Sequence, residues 1–548
     1  MQQNEGPRIL ETGTGLSYSK TVEYRGRFLY SKYNPAKSIL SLIEKTDFLP
    51  GTLVIINSPC LFYGIRELVQ KLPENCPLMA VEADEALYSI AEESLSDMGS
   101  EIPVKLFSTG NLNEIDSYLR KEADSGRVKR ILPLDFSAGV AFNSELYARI
   151  CFAAQEIVSS FWKNRITIVK MGRLFSKNIF CNLQRLPSSL TLRDVLHSVS
   201  KPIIVCGAGE SLDATFSDKN ADFLKAVKSG KFFILAVDAA LTSLLDRGIP
   251  VDAVVAMESQ SAIQNAYIGS KDSRIPIFAD LCSRPQIAEI LKGPVIFYAT
   301  KFASALYLDD LKKNDVIDSF IPPLGSVGLS ATLIALYIRE SSATKVYVTG
   351  LDFSYSMGLT HAKGTPAQKR KLFSQSRTNP LGSYDAAFAT GASIMQGKMG
   401  STVTLPNMQI YASTFNSMFA GEENLVDIRE SGLMLGIMEG KIEIPSCGSK
   451  KAFEEAVEKS LGNERERDRA RIWIEGEKKA LIEARDLLVK GEASDYRDKA
   501  MDLNEQLSDL LQARDYLYIH FPDGTSFSTE SQFLKRIRAE IDFFLKWI

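Results

Sequence analysis

The chain has 548 residues, 45% hydrophobic and 24% charged, with a formal net charge of −3. That balance belongs to globular proteins, and at about 150 residues per domain the length allows three or four domains. Dispersed Lys and Arg with a slightly acidic total leave no electrostatic footprint for nucleic acid, and no run approaches the ~18 apolar residues of a membrane span.

The N-terminus, MQQNEGPRILETGTG, is polar and lacks the apolar stretch of a signal peptide. The seven cysteines are scattered and include no C-x-x-C pair. That usage predicts reduced thiols and a cytoplasmic protein, and argues against a zinc site or a disulfide framework.

The predicted architecture is α/β: two consecutive Rossmann-like doubly wound domains, residues 1–199 and 200–445, followed by an α-helical region, 446–548. In the first, short apolar runs at Leu53–Ile56, Leu78–Val81, Val104–Leu106 and Ile166–Val169 read as strands. They alternate with helical patterns at Ile65–Lys71 and Asp84–Ser94, which predicts a mostly parallel sheet. The layout resembles a methyltransferase-type Rossmann domain, with Glu82 ending the second strand. The loop after the first strand, however, reads Asn57-Ser58-Pro59-Cys60-Leu61-Phe62-Tyr63-Gly64, not G-x-G-x-x-G. Prolyl and aromatic side chains there keep backbone N–H groups away from a cofactor, so a structural or protein-binding role is expected.

The second domain repeats the alternation more cleanly. Pro202–Cys206, Phe232–Val237, Ala253–Met257, Ile275–Ala279, Val295–Ala299 and Lys345–Gly350 read as buried parallel strands, with Leu329–Glu340 a helix between the last two. The third region, rich in Glu, Lys, Arg, Ala and Leu, predicts helices over Phe453–Leu461, Arg465–Lys490 and Tyr496–Leu517. The stripe Leu481, Ala484, Leu487 and Leu488 gives one of them an apolar face. This is a helical bundle or a surface on which a protein substrate docks.

Four places carry candidate chemistry. The first strand of the second domain runs into Gly207-Ala208-Gly209-Glu210-Ser211. Gly207 and Gly209 let the backbone approach a ligand, and their N–H groups with the Ser211 hydroxyl form a candidate phosphate cradle; a ligand-free tight turn is the plainer reading. Asp238 and Glu258 end the next two strands, where open α/β sheets bind ligands, although Asp238 would also serve as a helix N-cap. Gly325-Ser326 opens an apolar helix whose positive end suits an anion, with capping by Ser326 or Ser330 as the alternative. Last comes the loop Gly350-Leu351-Asp352-Phe353-Ser354-Tyr355, followed by Gly358-Leu359-Thr360-His361-Ala362-Lys363-Gly364. His361, the one histidine of three inside a motif, is either a general base or a structural hydrogen-bonding group.

These pieces, in this order, resemble the motility accessory factor (Maf) family of flagellin glycosyltransferases. The resemblance rests on Gly207–Leu212, Asp238–Leu241, Gly248–Asp252, Gly325–Val327 and Gly350–Asp352 through His361-Ala362. It extends upstream to Asn164–Thr167 and Gly172–Phe175 with Asn178 and Asn182. The core domain is similar to archaeal 6-hydroxymethylpterin diphosphokinases and, distantly, to bacterial sialyltransferases. The resemblance implies transfer of a pseudaminic- or legionaminic-type nonulosonic acid from a CMP-activated donor to Ser or Thr of flagellin. It implies that Gly207, Gly209, Ser211, Gly325 and Ser326 hold the CMP moiety while Asp238 and Glu258 line the nucleotide pocket. His361 or Asp352 would deprotonate the acceptor and Tyr355 would steady the leaving phosphate. Such a donor carries its own leaving group, so no metal or other cofactor is required. The family commonly has Asp where this chain has Glu258. Two other readings stand beside this one: a pterin pyrophosphotransferase using ATP and magnesium held by Asp238, Glu258 and Asp352, and a non-catalytic flagellin-binding assembly factor.

Overall fold

The structure is a computed structural model and describes residues 6–12, 18–99, 101–318, 320–380, 382–446, 452–461, 468–493 and 500–548. Parts of the N-terminal segment, Cys447 and the residues around Tyr496 lie outside the described residues. The six described cysteines are all free thiols, and no helix among the described residues is long and apolar enough to cross a membrane. Two compact units divide the chain at Lys170/Met171, inside the 40-residue helix α1 (Ser144–Leu183). The sequence-based borders were 199/200 and 445/446.

The first unit holds a parallel sheet of β1 (Thr52–Asn57), β2 (Leu78–Glu82), β3 (Val104–Ser108) and β4 (Arg130–Asp135), in the order β3-β2-β1-β4. This matches the first four positions of the Rossmann strand order 3-2-1-4-5-6. One expected strand is corrected: Ile166–Val169 lies inside α1, and β4 is the fourth strand. Within α1, Tyr147, Ile150, Ala154 and Val158 are buried at helical spacing, and this face overrides the β preference of a few branched residues. The β4 sequence RILPLD hides its identity because it is an edge strand, where exposed charge and Pro133 are tolerated. The loop after β1 is filled rather than open. Cys60 and Phe62 are fully buried, and Glu82 accepts from Ser58 Oγ (3.0 Å) and Tyr147 OH (2.9 Å).

The second unit is built on a ten-stranded sheet of uniformly parallel pairs. Its strands are β5 (Ile203–Cys206), β6 (Phe233–Val237), β7 (Ala253–Ala256), β8 (Ile277–Asp280), β9 (Val295–Thr300), β10 (Phe320–Ile321), β11 (Val346–Thr349), β12 (Leu425–Asp427) and β13 (Met438–Glu439). A short strand, Leu190–Thr191, also pairs with β9. The order β10-β9-β8-β7-β6-β5-β11-β12-β13 places β5 beside β11. The chain leaves β5 in one direction and returns on its other side, so the β5/β11 border is a topological switch point, where such sheets bind ligands.

The C-terminal helices belong to this unit's core. Phe453 packs on Phe233 and Phe278, with ring centroids 5.0 and 6.2 Å apart. Asp515 accepts from the amides of Leu306 (2.7 Å) and Tyr307 (3.1 Å), capping a helix two hundred residues upstream. Leu481, Ala484 and Leu488 are buried as their spacing predicts.

Candidate functional site

Two loops meet at the switch point so closely that glycine is obligatory. A Cβ on Gly207 would collide with Gly350 O and Leu351 Cδ2, and one on Gly209 would stand 2.5 Å from Asp352 Oδ2. The amide of Gly207 donates to Thr349 O and that of Gly209 to Gly350 O, both at 2.8 Å. Ser211 gives its amide (2.8 Å) and its hydroxyl to the Asp352 carboxylate, and its Oγ accepts from the Gly350 amide (2.9 Å). The expected cradle is therefore corrected. Gly207, Gly209 and Ser211 spend these donors on the neighbouring strand's loop, leaving those of Ala208 and Glu210 outside that bonding.

Asp352 is likewise redirected. It is buried, and Arg429 Nη1 lies 3.8 Å from its carboxylate. Burial pushes its pKa up to about 6 against the opposing pull of Arg429. Arg429 is itself anchored on Asp427 by two charge-assisted bonds of 2.8 and 2.9 Å, and Lys398 adds a third charge at 3.1 Å from Asp427. Asp352 thus ties two strands together. Sequence reading missed Arg429, Asp427 and Lys398 because nothing in the chain around them shows that Arg429 reaches Asp352, on a different strand's loop.

Tyr355 is buried, and its hydroxyl donates to Ala386 O (2.8 Å), which takes it away from any leaving phosphate. His361 is different. The next residue, Ala362, donates its amide to Ala208 O (2.9 Å), pinning this loop against the glycine turn. His361 Nδ1 lies 3.1 Å from Thr360 Oγ1, leaving Nε2 for another partner. Burial first, and Lys371 second, lower its pKa, so the imidazole is neutral at neutral pH.

Asp238 opens helix α2 (Asp238–Asp246) at the end of β6, buried, with its own carboxylate accepting from Ala239 N (2.7 Å). Burial, reinforced by Glu258, pushes it up to about 7. Glu258 is exposed and folds back onto the Gln260 amide (2.9 Å); it acts on Asp238 by charge. Beside Asp238 are two residues sequence reading missed. Tyr267 and Tyr298 are buried, and neither hydroxyl has a hydrogen-bond partner among the described residues. Burial and nearby acids, Asp238 among them, raise both phenols. Buried hydroxyls without partners are unusual in a finished fold and suit a polar ligand. Asp280 ends β8 in the same row, accepting from Cys282 N (2.9 Å) and Thr300 Oγ1; the strand-end rule that found Asp238 would have found it.

Gly325, at φ +71°, and Ser326, the N-cap residue, open helix α3 (Val327–Ile338), and the Ser326 side chain makes no capping bond. A Cβ on Gly328 would strike the same Leu351 methyl that blocks Gly207, so the N-terminus of α3 stands beside the switch-point loops. Asn178 and Asn182, at the end of α1, each hold two carbonyls: Ser259 and Cys282, and Leu281 and Ser283. They fix the turns after β7 and β8. A separate cavity of about 530 Å³ lies near β9 and β10, lined by His197, Arg193 and Tyr337 among others.

Residues 175–358 match the model of the 6-hydroxymethylpterin diphosphokinase MptE-like family. Along nearly its whole length the chain is 28% identical to an uncharacterized protein of Treponema pallidum (strain Nichols), over 562 aligned positions, 98% of this chain and 94% of that protein. Its fold is similar to the solved structure of a Maf glycosyltransferase from Magnetospirillum magneticum AMB-1, with a TM-score of 0.57 at 15% identity, covering 100% of this chain and 91% of that one. Both resemblances carried by the motifs are thereby met: the chain has the fold of a Maf glycosyltransferase, with an MptE-like domain at its centre.

Proposed function

We propose that this protein is a glycosyltransferase that moves a nonulosonic acid from a CMP-activated donor to a Ser or Thr hydroxyl of flagellin. The observation that carries the reading is that the His361 loop, pinned to the glycine turn through Ala362, and the N-terminus of α3, set against the same Leu351, both meet the switch point of a Maf-like fold, with Asp238 ending the neighbouring strand β6. In this reading the acceptor hydroxyl attacks the anomeric carbon and gives its proton to His361 Nε2. The bond from that carbon to the CMP phosphate breaks, and CMP leaves with the electron pair. The N-terminal dipole of α3 favours the phosphate. Asp238, Tyr267 and Tyr298 offer hydrogen bonds to the base or ribose. The phosphate is already a leaving group, so the reaction as drawn requires no metal.

The MptE-like match favours a second reading, pyrophosphoryl transfer from ATP with magnesium. Against it, Asp352 is committed to Ser211 and Arg429, which leaves Asp238 and Glu258 without the third acid that reading assigned to the metal. Thermal shift with CMP, CDP and ATP–magnesium separates the two, because a ligand that binds only the folded state raises its midpoint. A response to CMP without metal, together with a sugar-sized mass increase on flagellin co-expressed with this protein, supports the transferase. A response to ATP–magnesium alone overturns it.

A further inference from the structure

The segment from Met357 to Met399 differs from the rest of the chain in charge. It contains six cations, Lys363, Lys369, Arg370, Lys371, Arg377 and Lys398, against one acid, Asp385, a net of +5 in a chain that totals −3. Lys369 pairs with Asp246 (2.6 Å) and Lys398 with Asp427 (3.1 Å). The side-chain charges of Lys363, Arg370, Lys371 and Arg377 form no ion pair among the described residues, although the Lys363 backbone amide donates to the Asp213 carboxylate (3.1 Å).

Large apolar side chains stand in the open among these cations: Phe373 is 87% exposed, Phe388 81% and Met399 77%, with Met357 and Ile394 also exposed. Soluble proteins rarely cluster such groups on their surface without use, and aromatic, Met and Arg side chains are the types enriched in protein–protein interfaces. The segment is built as one surface. Helix α4 (Pro366–Ser374) packs on the Gly382–Phe388 turn, the Tyr384 ring covers Gly358, and Tyr355 holds Ala386 from below. The Tyr355 backbone also pairs with Val403 of the Ser393–Thr404 hairpin. Lys371 of this surface lies close enough to His361 to act on its charge.

We infer that this cationic, apolar segment is the docking surface for the polypeptide acceptor, and that it takes an acidic stretch of that acceptor carrying apolar side chains. Opposite charge steers the encounter and fixes register, while Phe373 and Phe388 supply desolvated anchors of the kind that dominate binding energy. The inference rests on the transferase reading for the identity of the occupant.

The test measures binding of the full chain, by fluorescence anisotropy, to a labelled peptide of alternating Glu and Phe with a central Ser, and to its Lys-for-Glu twin. The acidic peptide should bind at least ~10-fold tighter and lose affinity with salt. Arg370→Glu/Arg377→Glu and, separately, Phe373→Ser/Phe388→Ser should each weaken it at least ~10-fold, while the CMP-induced thermal shift persists in both. Equal binding of the twins, or unchanged affinity in both double variants, overturns the proposal. So does self-association of the chain that Phe373→Ser/Phe388→Ser abolishes, since a second copy would then be the occupant. If wild type shows no CMP shift yet prefers the acidic peptide, the donor reading fails and the surface stands; with a CMP shift and no peptide preference the reverse holds.

Discussion

Ser211 and Asp352, 141 residues apart, are joined by both the amide and the hydroxyl of the serine, and the same hydroxyl accepts from the Gly350 amide. This pair closes the switch point from inside. Charged hydrogen bonds of this kind contribute about 1.5–3 kcal/mol each, and a buried group left unpaired costs as much again. Ser211→Ala is therefore expected to lower the melting temperature by several degrees, and Gly209→Ala by more, since its Cβ would overlap Asp352. Thermal denaturation of the two variants checks this; wild-type midpoints would remove the pair from the structural role.

His361 is expected to be required in its neutral form. His361→Ala should keep CMP binding and lose at least ~100-fold in transfer rate, the low end of general-base assistance. The acid limb of the rate profile should lie below pH 6.5, because burial and Lys371 both favour the neutral ring. Removing the positive neighbour raises the pKa, so Lys371→Met should move that limb to higher pH. A pH–rate profile of this variant that shifts downward, or not at all, contradicts the assignment.

Asp238 gives a stability signature. Burial raises its folded pKa to about 7, above the 3.8 of an ordinary aspartate, so between those values the folded state holds a proton that the unfolded chain releases. Its contribution is fully present below about pH 4 and lost as pH rises through about 7. Wild type should melt at progressively lower temperature from pH 6 to pH 8, and Asp238→Asn should flatten part of that slope. Parallel slopes for the two proteins would exclude Asp238 as the group responsible.

The helical tail is expected to be inseparable from the second unit. Ending the chain near Lys441 strips Phe453 from Phe233 and Phe278, and Asp515 from the helix it caps. The truncated protein should be insoluble. Phe453→Ala in the full chain should cost ~3–5 kcal/mol, read by chemical denaturation. A soluble truncated protein that still binds CMP would show the tail to be a separate domain.

Strands β5 to β9 and β11 of the large sheet were legible in the sequence because strands buried on both faces are short, continuous apolar runs, a local property; the two- and three-residue strands Leu190–Thr191, β10, β12 and β13 were too short to leave such a run. The glycine turns at Gly207 and Gly350 were legible for the same reason, since a need for bare backbone leaves its mark at the position itself. What faces those turns was not local. Whether Ser211 meets a phosphate or Asp352, whether Tyr355 meets a ligand or Ala386, and whether Asp238 lies beside two unsatisfied phenols all depend on residues brought together across the sheet. The Ile166–Val169 run became helix because it continues a 40-residue helix, and RILPLD became strand because its backbone pairs along its whole length with β1; both outweigh the small free energies of local propensity. The sequence by itself determined the apolar strands at the centre of the large sheet and where the backbone had to be bare. Only the tertiary structure decided which polar groups were already spent on one another and which were left for a ligand, because a hydrogen-bond partner is chosen by proximity in space.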